Sequence, residues 1–194
     1  MPWRPDYATD DELKQYLRIE DDADDLFIAM WITATSRNVD DFCGRQFGQV
    51  DTPENRVYPS VYDRHEGAWS TVIDDVMDVA GLVVTDQDGN QVTDYQLWPR
   101  NAAAKGKPYE RMTTSTGGDL TVFASWGWTP ASAGPTVAKA GMLLQAARLA
   151  ARRDSPFGIA GSPTVGGGEI QLLAQLDPDF RTTMKPHRRD WWAA

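Results

Sequence analysis

Residues 21–25, Asp-Asp-Ala-Asp-Asp, are the densest run of carboxylates in the chain. Such a run could hold a hard cation, but the central glycine and distal glutamate of a calcium loop are missing. A helix N-terminus facing water or a partner is the expectation, because acids there suit the helix dipole. Gly161-Ser162-Pro163-Thr164-Val165-Gly166 has the glycine spacing of a phosphate loop. No Lys-Ser/Thr and no clear helix follow it, so nucleotide binding is not expected. His65 and His187 are the only histidines and Cys43 the only cysteine, which leaves no His–His or Cys–His metal spacing. No serine occupies a G-x-S-x-G elbow. The expectation is a chain without catalytic residues, cofactor or metal, and not an enzyme.

Composition agrees with a non-catalytic reading. At 194 residues the chain can bury one well-formed core, with 41% apolar and 24% charged residues. No run of eighteen apolar residues exists, so no membrane span is expected. The start, MPWRPDYATDDELK, lacks the apolar stretch of a signal peptide. The lone Cys43 fits core packing in a reducing compartment. A net charge of −9 argues against general nucleic-acid binding, which depends on neutralising phosphates. The charge is also lopsided. Nine acids against Lys14 and Arg18 lie between Asp6 and Asp25, whereas Arg181, Lys185, Arg188 and Arg189 face only Asp190 after Phe180. Opposite signs at the two ends point to oriented contacts, including contacts between copies.

The elements that would place these charges follow from periodicity. Thr9-Asp10-Asp11-Glu12 reads as a capping box opening a short helix. A longer helix is expected over 24–43, with Gly44 as its C-cap. From 56 to 128 the apolar period changes from 3.6 to 2. Strands are expected over 56–62, 70–76, 81–86, 90–99 and 120–128, with Asp88-Gly89 as a hairpin turn between two of them. Residues 101–118 read as a long polar loop. A nearly all-round apolar helix then starts at Gly134-Pro135 and stops at Ser155-Pro156. Its small residues let neighbours approach closely, and burial on most sides is expected. Val137, Ala140, Leu144, Ala147 and Ala151 are its candidate subunit-packing positions. A glycine-rich loop over 159–169, a short helix opened by Asp177-Pro178, and a tail, HRRDWWAA, that carries Trp191-Trp192 complete the chain. Trp and Arg dominate binding hot spots, so this tail is an interface candidate.

Several stretches together resemble the head–tail connector proteins of tailed bacteriophages. Residues 8–47 are similar to their paired N-terminal helices, and Arg152-Arg153-Asp154-Ser155-Pro156-Phe157-Gly158 to the exit of their long helix. Residues 172–191 look like their C-terminal element. The V-x-x-V-x-G-L-x-V pattern from Val76 and the strand end A-S-W-G-W are similar to the β insertion of larger, actinobacteriophage-type members. The resemblance implies an α+β fold: a helical bundle of two N-terminal helices, a long central helix and a short C-terminal helix, carrying an inserted antiparallel β-sheet region. In residue ranges this is 1–54 and 131–184 for the bundle, 55–130 for the insertion and 185–194 for an extended tail.

It further implies a structural adaptor without catalytic activity, assembled in the host cytoplasm and resident in the virion neck. Its partners would be copies of itself in a twelvefold ring, the portal protein above, and a downstream neck, stopper or tail protein below. Packaged DNA would pass through without sequence-specific recognition. Portal contact falls on Arg181, Lys185, Arg188, Arg189, Trp191 and Trp192, with His187 in the same segment. Asp21, Asp22, Asp24 and Asp25 are candidates for the ring lumen. Another neck component, such as a stopper or tail-completion protein, is the alternative.

Overall fold

The computed structural model describes residues 4–153, 159–160, 170–171 and 176–189. Two compact units divide the chain. The first has Gly44–Thr136 as its body, with Arg4, Pro5 and Arg189 attached; the second comprises Asp6–Cys43 and Val137–Arg188.

The first unit is built from strands β1 (Glu54–Pro59), β2 (Val61–Asp63), β3 (Ala68–Val76), β4 (Asp78–Thr85), β5 (Gln96–Trp98), β6 (Tyr109–Thr114) and β7 (Asp119–Ser125). They form two antiparallel sheets, in the orders β1-β7-β4 and β2-β3-β6-β5. Ser60 alone separates β1 from β2, and Met77 alone separates β3 from β4. The chain therefore turns from one sheet into the other at two single-residue corners. Alternation on β7 sends Leu120, Val122 and Ala124 inward, where they meet Ile73, Val76, Val84, Met112 and Trp126. A register shift between Val72 and Val76 brings both Ile73 and Val76 into this core. At Gly127, with φ +109, a Cβ would stand 2.0 Å from the Gly48 carbonyl oxygen, so only glycine fits.

The second unit holds α1 (Asp10–Leu17), α2 (Asp25–Cys43), α4 (Pro178–Met184) and most of α3 (Ala133–Arg153). The capping box at α1 is present: Thr9 Oγ1 accepts from the Glu12 N–H at 3.3 Å, and Glu12 accepts from the Thr9 N–H at 3.0 Å. Residues 6–17 run antiparallel along α2. The Tyr7 N–H donates to Ser36 Oγ, the Tyr7 hydroxyl donates to Asp40, and Lys14 reaches Asp22 and Asp25. At the other end of α2, Phe42 packs edge-on against Phe180 of α4, ring centroids 5.3 Å apart. Short strands β8 (Ile159–Ala160) and β9 (Ile170–Gln171) pair antiparallel.

The expected helical bundle with a β insertion is not the architecture. Among the described residues α1 and α4 are about two turns each, too short to supply facing apolar stripes along α2 and α3. The two sheets are a substantial body with their own core. Three local expectations are also corrected. Residues 101–118 contain β6, an inner strand whose only inward apolar residue on the core is Met112, so it gives almost no period-2 signal. Over 90–99 only Gln96–Trp98 is a strand. After the Asp86–Asn90 turn a single Thr85–Gln91 bridge forms, and the chain then crosses to the other sheet. Burial of α3 is narrower than expected: Gly134, Ala138, Gly141, Met142, Gln145 and Ala146 are buried, and the other apolar positions are half-buried or exposed.

Candidate functional site

At the head of α2 the carboxylates of 21–25 are each engaged. Asp21 accepts the Ala23 N–H at 3.2 Å. Asp22 and Asp25 flank the Lys14 ammonium at 2.7 and 2.5 Å, and Asp24 meets Arg153 at 2.5 Å. The Lys14 ammonium, bonded to Asp22, holds that carboxyl below its ordinary value; the two carboxylates, Asp22 first, raise Lys14 in return. The cluster thus ties α1, α2 and the end of α3 together. Beside it stand large exposed apolar side chains, Leu26 at 79% and Met30 at 56%, with Tyr16 and Phe27. The Arg153 guanidinium covers the Phe27 ring at 4.6 Å.

The opposite end of α2 carries the basic segment. Asp177 caps α4 by accepting from the Asp179 and Phe180 N–H groups at 2.8 and 3.2 Å. From that anchored turn Arg181, Lys185 and Arg188 project into solvent, with His187 half-buried. Arg188 lies over the Phe42 ring at 5.3 Å. Leu26 and Phe42 are sixteen residues apart on one helix, about 24 Å at 1.5 Å per residue, so the acidic and basic ends are well separated. Arg189 differs from its neighbours. It belongs to the first unit and donates to the main-chain carbonyls of Ile73 and Glu110. Trp191 and Trp192 lie outside the described residues.

On α3 the positions Val137, Ala140, Leu144, Ala147 and Ala151 share one face. Val137, Leu144 and Ala147 are half-buried, and Ala140 and Ala151 are exposed. Their spacing of three and four residues forms one continuous stripe.

Sequence reasoning missed two features of the first unit. One is a charge cluster in which buried Asp75 and Arg45 meet half-buried Glu110, joined by Arg189 and the Trp128 indole. The other is an open cleft of about 460 Å³ beside Glu66, Asp94, Gln96, Trp98, Arg100 and Ser115. The Trp98 ring is flanked by Arg100 at 4.7 Å and Arg111 at 5.1 Å. The cleft's carboxylates are both occupied: Glu66 pairs with Arg111 at 3.0 Å, and Asp94 accepts from the Ser115 N–H and hydroxyl. Neither is poised as a general base. The separation of Asp75 from Asp74 could not be read locally. Both sit in one strand run, where Val72 and Val76 share a phase with Asp74, yet the buried phase is that of Thr71, Ile73 and Asp75, and Val76 joins it only past the register shift.

Among the described residues no group of three or more His, Cys, Asp or Glu side chains is placed to hold a metal ion. Nor is any of their helices long and apolar enough to cross a membrane. Compared with known proteins, the sequence matches no protein-family model and no curated protein.

Proposed function

We propose that this chain is a structural, non-catalytic connector of a tailed-phage virion, an adaptor that joins the portal of the DNA-filled head to the neck or tail. The reading rests on the residue resemblance, and one observation carries it into three dimensions. The second unit presents exposed Arg181, Lys185 and Arg188 at one end of α2 and an acid-rimmed apolar patch at the other. A subunit working between two different partners needs two chemically distinct ends. In this reading the basic end meets the portal, and copies assemble into a twelvefold ring through helix surfaces such as the α3 stripe. The downstream neck protein docks below. The net charge of −9 lets DNA pass without retention, because phosphates find few cations.

Ring geometry suits weak individual contacts. Exposed ion pairs contribute at most about 1 kcal/mol each. Many such contacts on one ring act as a multivalent whole, with gains of roughly 10²–10⁴ over one site.

The test is binding to the portal protein of the same virion by a chain with Arg181→Glu, Lys185→Glu and Arg188→Glu. Arg189 is kept because it is anchored inside the first unit. A chain with Lys105→Glu and Lys107→Glu, exposed on the first unit, is the control. Affinity should fall tenfold or more for the triple variant alone. Unchanged binding by the triple variant contradicts the proposal.

A further inference from the structure

In the first unit two carboxylates, buried Asp75 and half-buried Glu110, meet a single buried guanidinium, that of Arg45. Asp75 on β3 is 2% exposed. Its Oδ2 accepts the Trp128 indole N–H at 2.8 Å and lies 3.4 Å from Arg45. Its Oδ1 is equally buried and has no hydrogen-bond partner, which is costly for a carboxylate. Arg45 also pairs with Glu110 at 2.7 Å, so two carboxylates share one internal guanidinium. The second guanidinium is Arg189. Its Nη2 donates to the Glu110 carbonyl at 3.2 Å and to the Ile73 carbonyl, acceptors on the neighbouring strands β6 and β3. With Arg189 in place the cluster holds two negative and two positive charges. Both bonds leave the one Nη2 of a planar guanidinium, whereas an ammonium is a compact point charge on a flexible stem.

We propose that β3 and β6, with Asp75 and Glu110, form a guanidinium-binding site for the chain's own C-terminal segment, filled here by Arg189 in cis and able to accept the same segment in trans from a second copy. Arg189 belongs to the first unit but is separated from that unit's body in sequence by residues 137–188. Exchange of an identical element between copies needs no new contact. The inference does not depend on the connector reading.

The experiment is thermal unfolding of the full chain carrying Arg189→Ala or Arg189→Lys, alone and with a synthetic peptide of residues 186–194. Both variants should melt about 5–10 °C lower than the parent chain. Millimolar peptide should restore the alanine variant, whereas the same peptide with Arg189→Lys should not. An unshifted Arg189→Ala chain overturns the site, as does rescue that is equal with the lysine peptide or absent with both. Should the variants fail to fold, the parent chain decides by NMR: slow rotation of the Arg189 guanidinium supports the site, and free rotation refutes it.

Discussion

Burial dominates the chemistry of Asp75. Loss of water is the largest influence on its carboxyl and pushes it up to about 6, against the opposing pull of Arg45 and Arg189. The folded state therefore holds a proton more readily than the unfolded chain, whose carboxyl has its ordinary value of 3.8. A raised acid contributes most when it is neutral, so stability falls as pH rises between about 4 and 6. The shift corresponds to about 3 kcal/mol. Urea unfolding of the parent chain and of Asp75→Asn at pH 4 and pH 7 isolates this contribution, because the other groups titrate in both. The parent should lose stability relative to the variant on going to pH 7; a relative gain contradicts the assignment. At this scale little was legible in sequence. Asp74 and Asp75 are identical in type and adjacent, yet Asp74 pairs at the surface with Arg56 and Tyr58 while Asp75 is enclosed. By contrast, the Thr9–Glu12 capping box is a local signal and was legible, because four consecutive residues contain all of its chemistry.

Elements became legible in proportion to how locally they are specified. The limits of α2 follow from acids at its start and Gly44 beyond its end, whereas β6 is a strand because β3 and β5 pair with it on either side. Helix length shows the same limit. Periodicity located α3 but could not say which faces would be covered, and the bundle expected from the resemblance does not form. Gly134 illustrates the gap between local and tertiary information. It reads as a helix start, but a Cβ there would stand 2.2 Å from the packed ring of Trp128, whose indole is held by Asp75. Gly134→Ala gains about 1 kcal/mol of helix propensity. Overpacking against a pinned ring costs about 1–3 kcal/mol, so the net effect should be destabilising. A urea midpoint below that of the parent checks this, and a higher midpoint contradicts it.

The whole molecule is two units whose charges are distributed unevenly. The acid-rimmed apolar patch and the basic α4 end both belong to the second unit. The charge cluster around Asp75 belongs to the first. Lopsided charge was visible in the sequence, since it needs only counting. That the basic stretch splits, with Arg188 exposed and Arg189 inserted into the first unit, was not, because adjacent identical side chains take opposite roles. The connector reading makes a claim about stoichiometry that no single-chain property supplies: many copies on one portal, each weakly held. Native mass spectrometry of the full chain mixed with the portal assembly measures this directly. The account predicts a complex in which one ring of copies, twelve for a twelvefold portal, loads cooperatively with few partly filled species. A single copy bound tightly to an isolated portal protomer, or no binding at all, would contradict it.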